Sequence, residues 1–137
     1  MAKHIFKNVH LTVDSVDLSD HVKTATLEYS SELQDDTTHS EDSRGRLPGL
    51  KDWSVTVEFA QDYAAGKVDA TLWSIHDGAA AVAIVLRPDA GAKSATNPEY
   101  TGNVVLETGQ GMGGKVGDLH MAPVTFRGDG DLARATS

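Results

Sequence analysis

Six histidines (His4, His10, His21, His39, His76 and His120) are the first place to look for chemistry in this chain. A metal centre needs ligands that recur on one face of an element, as in His-x-His, His-x-x-x-His or His-Glu-x-x-His. None of these spacings occurs, so the histidines read as separate sheet and surface residues. Asp35, Asp36, Glu41 and Asp42 carry the oxygen ligands calcium takes, but their spacing does not match the EF-hand loop. A solvated acidic loop is the expectation. Gly109-Gln110-Gly111-Met112-Gly113-Gly114 matches G-x-G-x-x-G, which cradles a pyrophosphate only when it links a strand to a helix. The segment after it contains Pro123 and alternates like a strand, so a hairpin turn is expected. Arg127-Gly128-Asp129 spells RGD, a tripeptide short enough to arise by chance. No serine sits in a G-x-S-x-G elbow. Cysteine is absent, which excludes disulfides, thiolate nucleophiles and Cys-ligated zinc. The expectation is no catalytic residue, no metal and no cofactor.

Composition sets the frame for these residues. The chain has 137 residues, with 39% hydrophobic content and 13 Gly. That suits one globular domain, residues 1–137, burying roughly 65–70% of its unfolded surface. Aromatics are sparse at 6%, so the core rests on Val, Leu, Ile and Ala. Twenty acids against twelve bases give a net charge of −8. Tight nucleic-acid binding needs clustered Lys and Arg, so nucleic acid is not a held ligand. It remains possible as cargo that passes without sticking. The N-terminal segment lacks the apolar stretch of a signal peptide. No apolar run reaches membrane-spanning length.

The elements that must position any site are mostly strands. Trp53, Val55, Val57 and Phe59 alternate with Ser54, Thr56 and Glu58, the pattern of a strand with one dry and one wet face. Residues 4–13, 22–30, 81–87, 99–108 and 117–127 read as further strands. Asp14 to Asp20 reads as a turn. Val68, Leu72, Ile75 and Ala79 form one helical stripe within residues 66–79, ended by Gly78. Residues 31–50 lose all periodicity and hold five acids and two arginines; a loop that long is usually functional or disordered. Residues 128–137 read as a frayed tail. A single helix excludes a βαβ array. The expected fold is a mainly β antiparallel sandwich or barrel with one flanking helix and a long loop.

The wet strand faces are alike. Thr24, Thr26 and Glu28 match Ser54, Thr56 and Glu58 in kind and order, and Thr101, Asn103 and Glu107 add a third row interrupted by Val105. Solvent faces usually mix Lys with Glu, and these rows hold neither Lys nor Arg.

The chain resembles the major tail tube proteins of long-tailed bacteriophages. The likeness runs through Asp17-Leu18-Ser19-Asp20, then Leu47-Pro48-Gly49-Leu50-Lys51-Asp52-Trp53-Ser54-Val55-Thr56-Val57. It continues through Gln61-Asp62-Tyr63, Thr96-Asn97-Pro98-Glu99-Tyr100 and Gly114-Lys115-Val116-Gly117-Asp118-Leu119, ending in Val124-Thr125-Phe126. The resemblance implies a β-sandwich monomer of which six form a ring. Rings stack into a hollow tube that conducts the genome. Thr24, Thr26, Glu28, Ser54, Thr56, Glu58, Asn103 and Glu107 then become lumen candidates. Residues 31–50 match the loop that in relatives reaches the neighbouring ring, with Leu33, Asp35, Asp36, Glu41, Asp42, Arg44, Arg46 and Leu47 as contact candidates. The implied partners are other copies of the chain, a tape measure protein, and tail-terminator and distal-tail proteins. DNA is transient cargo and no membrane is involved. The implied location is the virion tail, assembled in the host cytoplasm.

Two other classes are weighed against this. A β-sandwich can bind carbohydrate or peptide at its loop end, but Trp53 and Trp73 both fall on expected buried positions, leaving few rings for a sugar. An enzyme, such as a carboxylate- or metal-dependent hydrolase, has no marked residues.

Overall fold

The structure, a computed structural model, describes residue 5 and residues 7–137. Strand β1 spans His10–Val13 and β2 spans Val16–Asp17. A 3-10 turn, Ser19–His21, leads into β3, Val22–Asp35. Next come β4, Arg46–Ala60, and helix α1, Val68–Gly78. The chain closes with β5, Val82–Arg87; β6, Glu99–Thr108; β7, Met121–Gly128; and β8, Ala133–Ala135. All strands join one antiparallel sheet in the order β2-β1-β5-β6-β7-β4-β3, with β8 paired to β6. Among the described residues the fold is mainly β with one α-helix, as the periodicity predicts.

Alternation sets which side of each strand is dry. Trp53, Val55, Val57 and Phe59 are buried on β4, with Ala122, Val124 and Phe126 on β7, Val104 on β6, Ile84 and Leu86 on β5, and Leu11 and Val13 on β1. These form one cluster, so the sheet wraps around a shared interior, and Val68, Leu72 and Ile75 of α1 pack into it. Burial of this apolar area at roughly 25 cal/mol per Å² drives the fold.

Several expected boundaries move. Within the expected strand 4–13, pairing covers residues 10–13; Met1 to His4 and Phe6 lie outside the described residues. Within Asp14 to Asp20, only Asp14 and Ser15 form the tight reversal, both at positive φ (50° and 66°), joining Val13 to Val16. Two left-handed residues are what a two-residue antiparallel hairpin requires. Leu18 is buried. Ser19 is fixed beside it, its Oγ accepting from the Leu11 N–H at 2.9 Å. Gly78 is the last helical residue, and Ala79 takes the left-handed cap at φ 49°, donating its N–H to the Ile75 carbonyl at 3.1 Å.

Two corrections are larger. Residues 31–50 are not an open loop. Strands β3 and β4 pair on past Ser31–Lys51 to Asp35–Arg46, leaving only residues 36–45 as the connection. Residues 128–137 are not a frayed tail. Ala133–Ala135 pairs with Glu99–Thr101 of β6, Leu132 packs on the core, and the Trp53 Nε1–H donates to the Gly130 carbonyl at 3.0 Å.

Candidate functional site: an assembly surface

The wet faces of four adjacent strands form one continuous surface. Register places Thr24 opposite Glu58, Thr26 opposite Thr56, and Glu28 opposite Ser54. On the other side of β4, Glu58 faces Pro123, Thr56 faces Thr125, and Ser54 faces Arg127. Strand β6 continues the rows, with Val105 opposite Arg127 and Asn103 and Glu107 exposed on the same side. Thr24, Thr26, Glu28 and Thr56 are exposed, whereas Ser54 and Glu58 are half-buried between neighbours. Small hydroxyls and carboxylates dominate because the opposite side of each strand is core, and nothing among the described residues covers Thr24, Thr26, Glu28 or Thr56 on the outer side.

Assembly of the rows adds a charge that strand-by-strand reading missed. Arg127 sits inside this surface and its Nε–H donates to Glu107 Oε2 at 2.5 Å. Glu107 beside it holds the guanidinium pKa above its ordinary value, with Asp52 and Glu28 adding to the effect. The face is therefore not free of cations; it carries one arginine paired within an acidic field. The signal was available: Val124 and Phe126 point inward, so Thr125 and Arg127 must point outward. It also disposes of the RGD reading, because Gly128 abuts the Trp53 ring instead of standing on a presented loop.

The second surface is the arm formed by the outer halves of β3 and β4. Strand β7 pairs with β4 only from Ser54 onward, so the hairpin beyond that point pairs with itself alone. Almost every residue from Tyr29 to Asp52 is exposed, including Leu33, Leu47 and Leu50. Its tip is locally ordered. Arg44 Nη1 donates to Asp35 Oδ2 at 2.7 Å, the Thr37 N–H donates to Asp35 Oδ1 at 2.9 Å, and Thr38 Oγ1 donates to Glu41 Oε1 at 2.9 Å. The Thr37 bonds, foremost, and then Arg44 hold the Asp35 carboxyl below its ordinary pKa. Asp36, Asp42 and Arg46 remain exposed. Among the described residues no three His, Cys, Asp or Glu side chains gather as metal ligands.

At the far end of the sheet the Gly-rich segment 109–120 connects antiparallel β6 and β7. Gln61 Nε2 and Tyr63 Oη both donate to the Gly111 carbonyl, at 2.9 Å and 2.7 Å. No helix follows, so the phosphate cradle is not built. His120 Nδ1 lies 3.1 Å from Tyr63 Oη. His21 Nε2 lies 2.9 Å from Asp62 Oδ2. The Ala64 N–H, foremost, and then His21 lower the Asp62 pKa.

By sequence, no family model and no curated protein matches the chain. By structure, it is similar to a chain in the virion of a native gene transfer agent particle, at TM-score 0.79 and 14% identity, covering 97% of this chain and 99% of that one. It is similar to the SPP1 tail tube at TM-score 0.77 and 11% identity, covering 98% and 80%. A tail of an empty gene transfer agent particle, refined with C6 symmetry, matches at TM-score 0.68 and 13% identity, covering 84% and 82%. The chain has the tail tube fold.

Within the tail tube fold, one of the motifs that carried the resemblance, residues 96–100, is a structural pin. Asn97 is buried; its Nδ2 donates to the carbonyls of Asp89, Gly91 and Ala92, and its Oδ1 accepts from the Asp89 N–H. Glu99 accepts from Arg87 Nη1 at 2.6 Å. One expected core residue is not core. Trp73 is 65% exposed, because it lies one position, about 100°, off the Val68–Leu72–Ile75 stripe. Its ring stands 5.4 Å from that of His76, beside a groove of about 380 Å³.

Proposed function

We propose that the chain is a structural subunit of a bacteriophage-type tail tube. The observation that carries this reading is the pairing of a continuous polar sheet face with a long free edge. Strand β3 is the last of the sheet and has 14 residues. An edge of that length recruits another chain unless it is protected. Copies joined in a closed ring along the body half of β3, residues 22–28, cover that edge and turn the polar face toward one axis. Six copies is the number the C6 tail suggests.

The polar face then lines the channel, with Glu28, Glu58 and the neutralised Arg127 setting its field. Net charge −8 disfavours trapping of a polyanion, and screening lengths of roughly 8–10 Å are comparable to a narrow lumen. The arm contacts the adjoining ring. DNA is cargo, the partners are further copies together with tape measure, terminator and distal-tail proteins, and the place is the virion tail. The role is structural, without catalysis or cofactor.

Negative-stain microscopy of concentrated protein tests the reading. Rings, or tubes on the order of 100 Å wide from six domains packed about a channel, are expected; a strict monomer at all concentrations and with tail initiators overturns it. Replacing Glu28 and Glu58 with Lys is expected to leave tubes intact while slowing genome delivery. Unchanged infectivity removes the lumen assignment.

A further inference from the structure

Two surfaces at opposite ends of the subunit have complementary chemistry. The first is one face of the arm. Tyr29, Ser31, Leu33 and Asp35 alternate on the side of β3 that carries Ala25 and Leu27. Register puts Pro48 beside Leu33 and Arg46 beside Asp35. That side of the sheet runs on past the body with two exposed apolar side chains, Tyr29 at 72% and Leu33 at 59%, interspersed with the polar pairs Ser31–Lys51 and Asp35–Arg46. Asp35 is taken by Arg44, whereas Arg46 has no ion-pair partner among the described residues.

The second surface is the groove between α1 and the start of the β6–β7 connection. Leu72, Trp73 and Leu106 give it apolar walls, and Asp69 stands at its rim in the first turn of α1. The Asp69 carboxylate also lacks an ion-pair partner among the described residues.

Both surfaces hang on one strand. Strand β4 starts at Arg46 in the arm and ends at Ala60, and the next residue, Gln61, lines the groove. At about 3.3 Å per residue the two ends lie roughly 50 Å apart on a continuous strand. The arm cannot fold back onto its own groove. We infer that the groove receives the arm of a second copy, with Leu33 and Pro48 against Leu72, Trp73 and Leu106, and Arg46 toward Asp69. This rests on the tube-subunit reading and adds which residues join one ring to the next. The contact is heterologous: each added copy buries one arm and one groove and presents a fresh one of each, so it propagates along an axis. Trp73 is the expected anchor, because a large ring in a desolvated pocket commonly dominates an interface.

Charge reversal across the contact is the test. Arg46→Asp alone and Asp69→Arg alone each raise the protein concentration needed for tubes by roughly tenfold or more, since like charges then meet. The double variant, with the pair inverted, returns to within about threefold of the unaltered chain. The absence of cysteine permits a second readout that keeps Leu33 and Trp73 in place: Arg46→Cys with Asp69→Cys gives, on oxidation, a ladder of linked multimers that neither single variant gives. Single reversals that polymerise like the unaltered chain, or a double variant no better than the singles, overturn the contact. So does a groove that binds a glycan or basic peptide through Trp73 while tubes form normally in Trp73→Ala. Native mass spectrometry separates the two levels. Rings that persist while stacking ignores these residues sink this contact only; no rings from the unaltered chain sinks the tube reading itself.

Discussion

Trp53 shows how much one side chain can demand of its neighbours. Its ring is accommodated because Gly102 and Gly128 lack a Cβ; an atom built at either position overlaps the indole. Gly128→Ala is therefore expected to lower stability by about 1–3 kcal/mol, the usual cost of overfilling a packed core, measured as a shift of the urea midpoint. Glu99 sets a pH dependence. Its bond from Arg87, with Lys93 nearby, holds the folded carboxyl below its ordinary value of 4.5. A lowered folded pKa contributes stability above about pH 4.5 that is lost as pH falls through the folded value. The stability gap between the unaltered chain and Glu99→Gln should accordingly be largest near neutrality and close in acid. A gap that does not change with pH refutes this.

At the scale of elements, α1 ends one residue out of step with its glycine. Gly78 is helical, and Ala79 bears the left-handed cap. An L-residue in that region costs about 1 kcal/mol, and glycine inside a helix about as much. Ala79→Gly and Gly78→Ala are each expected to stabilise by about 0.5–1 kcal/mol, read from melting temperature; a Cβ at Gly78 meets nothing within 4 Å. The β3–β4 arm is the opposite case, an element held by its ladder and cross-strand pairs without a core beneath it. The same absence of burial explains why its sequence reads as a loop. Period-two hydrophobicity records one wet and one dry face, and in an exposed two-stranded arm where Tyr29 and Leu33 share their side with Ser31 and Asp35 that record is too short to read.

At the scale of the molecule, the exposure of the arm and its pairing with itself alone predict that arm and body are energetically separable. Removing residues 32–50 and joining Ser31 to Lys51, a cross-strand pair, through Asn-Gly supplies a permitted two-residue turn. Because the removed residues are exposed, body stability should change by less than about 1 kcal/mol, while extended tubes are lost. Loss of the folded body in circular dichroism refutes that separation. The charge pattern also belongs to this scale: under the proposed ring assembly, a subunit of net charge −8 is expected to assemble better as salt rises through about 0.15 M, where repulsion is screened within about 8 Å. Light scattering across a salt series checks the direction.

Alternation at Trp53–Phe59 and Val124–Phe126, and the stripe Val68–Leu72–Ile75, sufficed by themselves to specify a mainly β fold with one helix and the inward side of its strands. They could do so because burial of one face writes itself locally into residue order. Which strands became neighbours was settled only by tertiary pairing. That pairing set Arg127 among Glu28, Asp52 and Glu107, tied Ala133–Ala135 to β6, and left Trp73 beside an open groove. Those outcomes depend on residues distant in the chain meeting in space, and no local period carries that information.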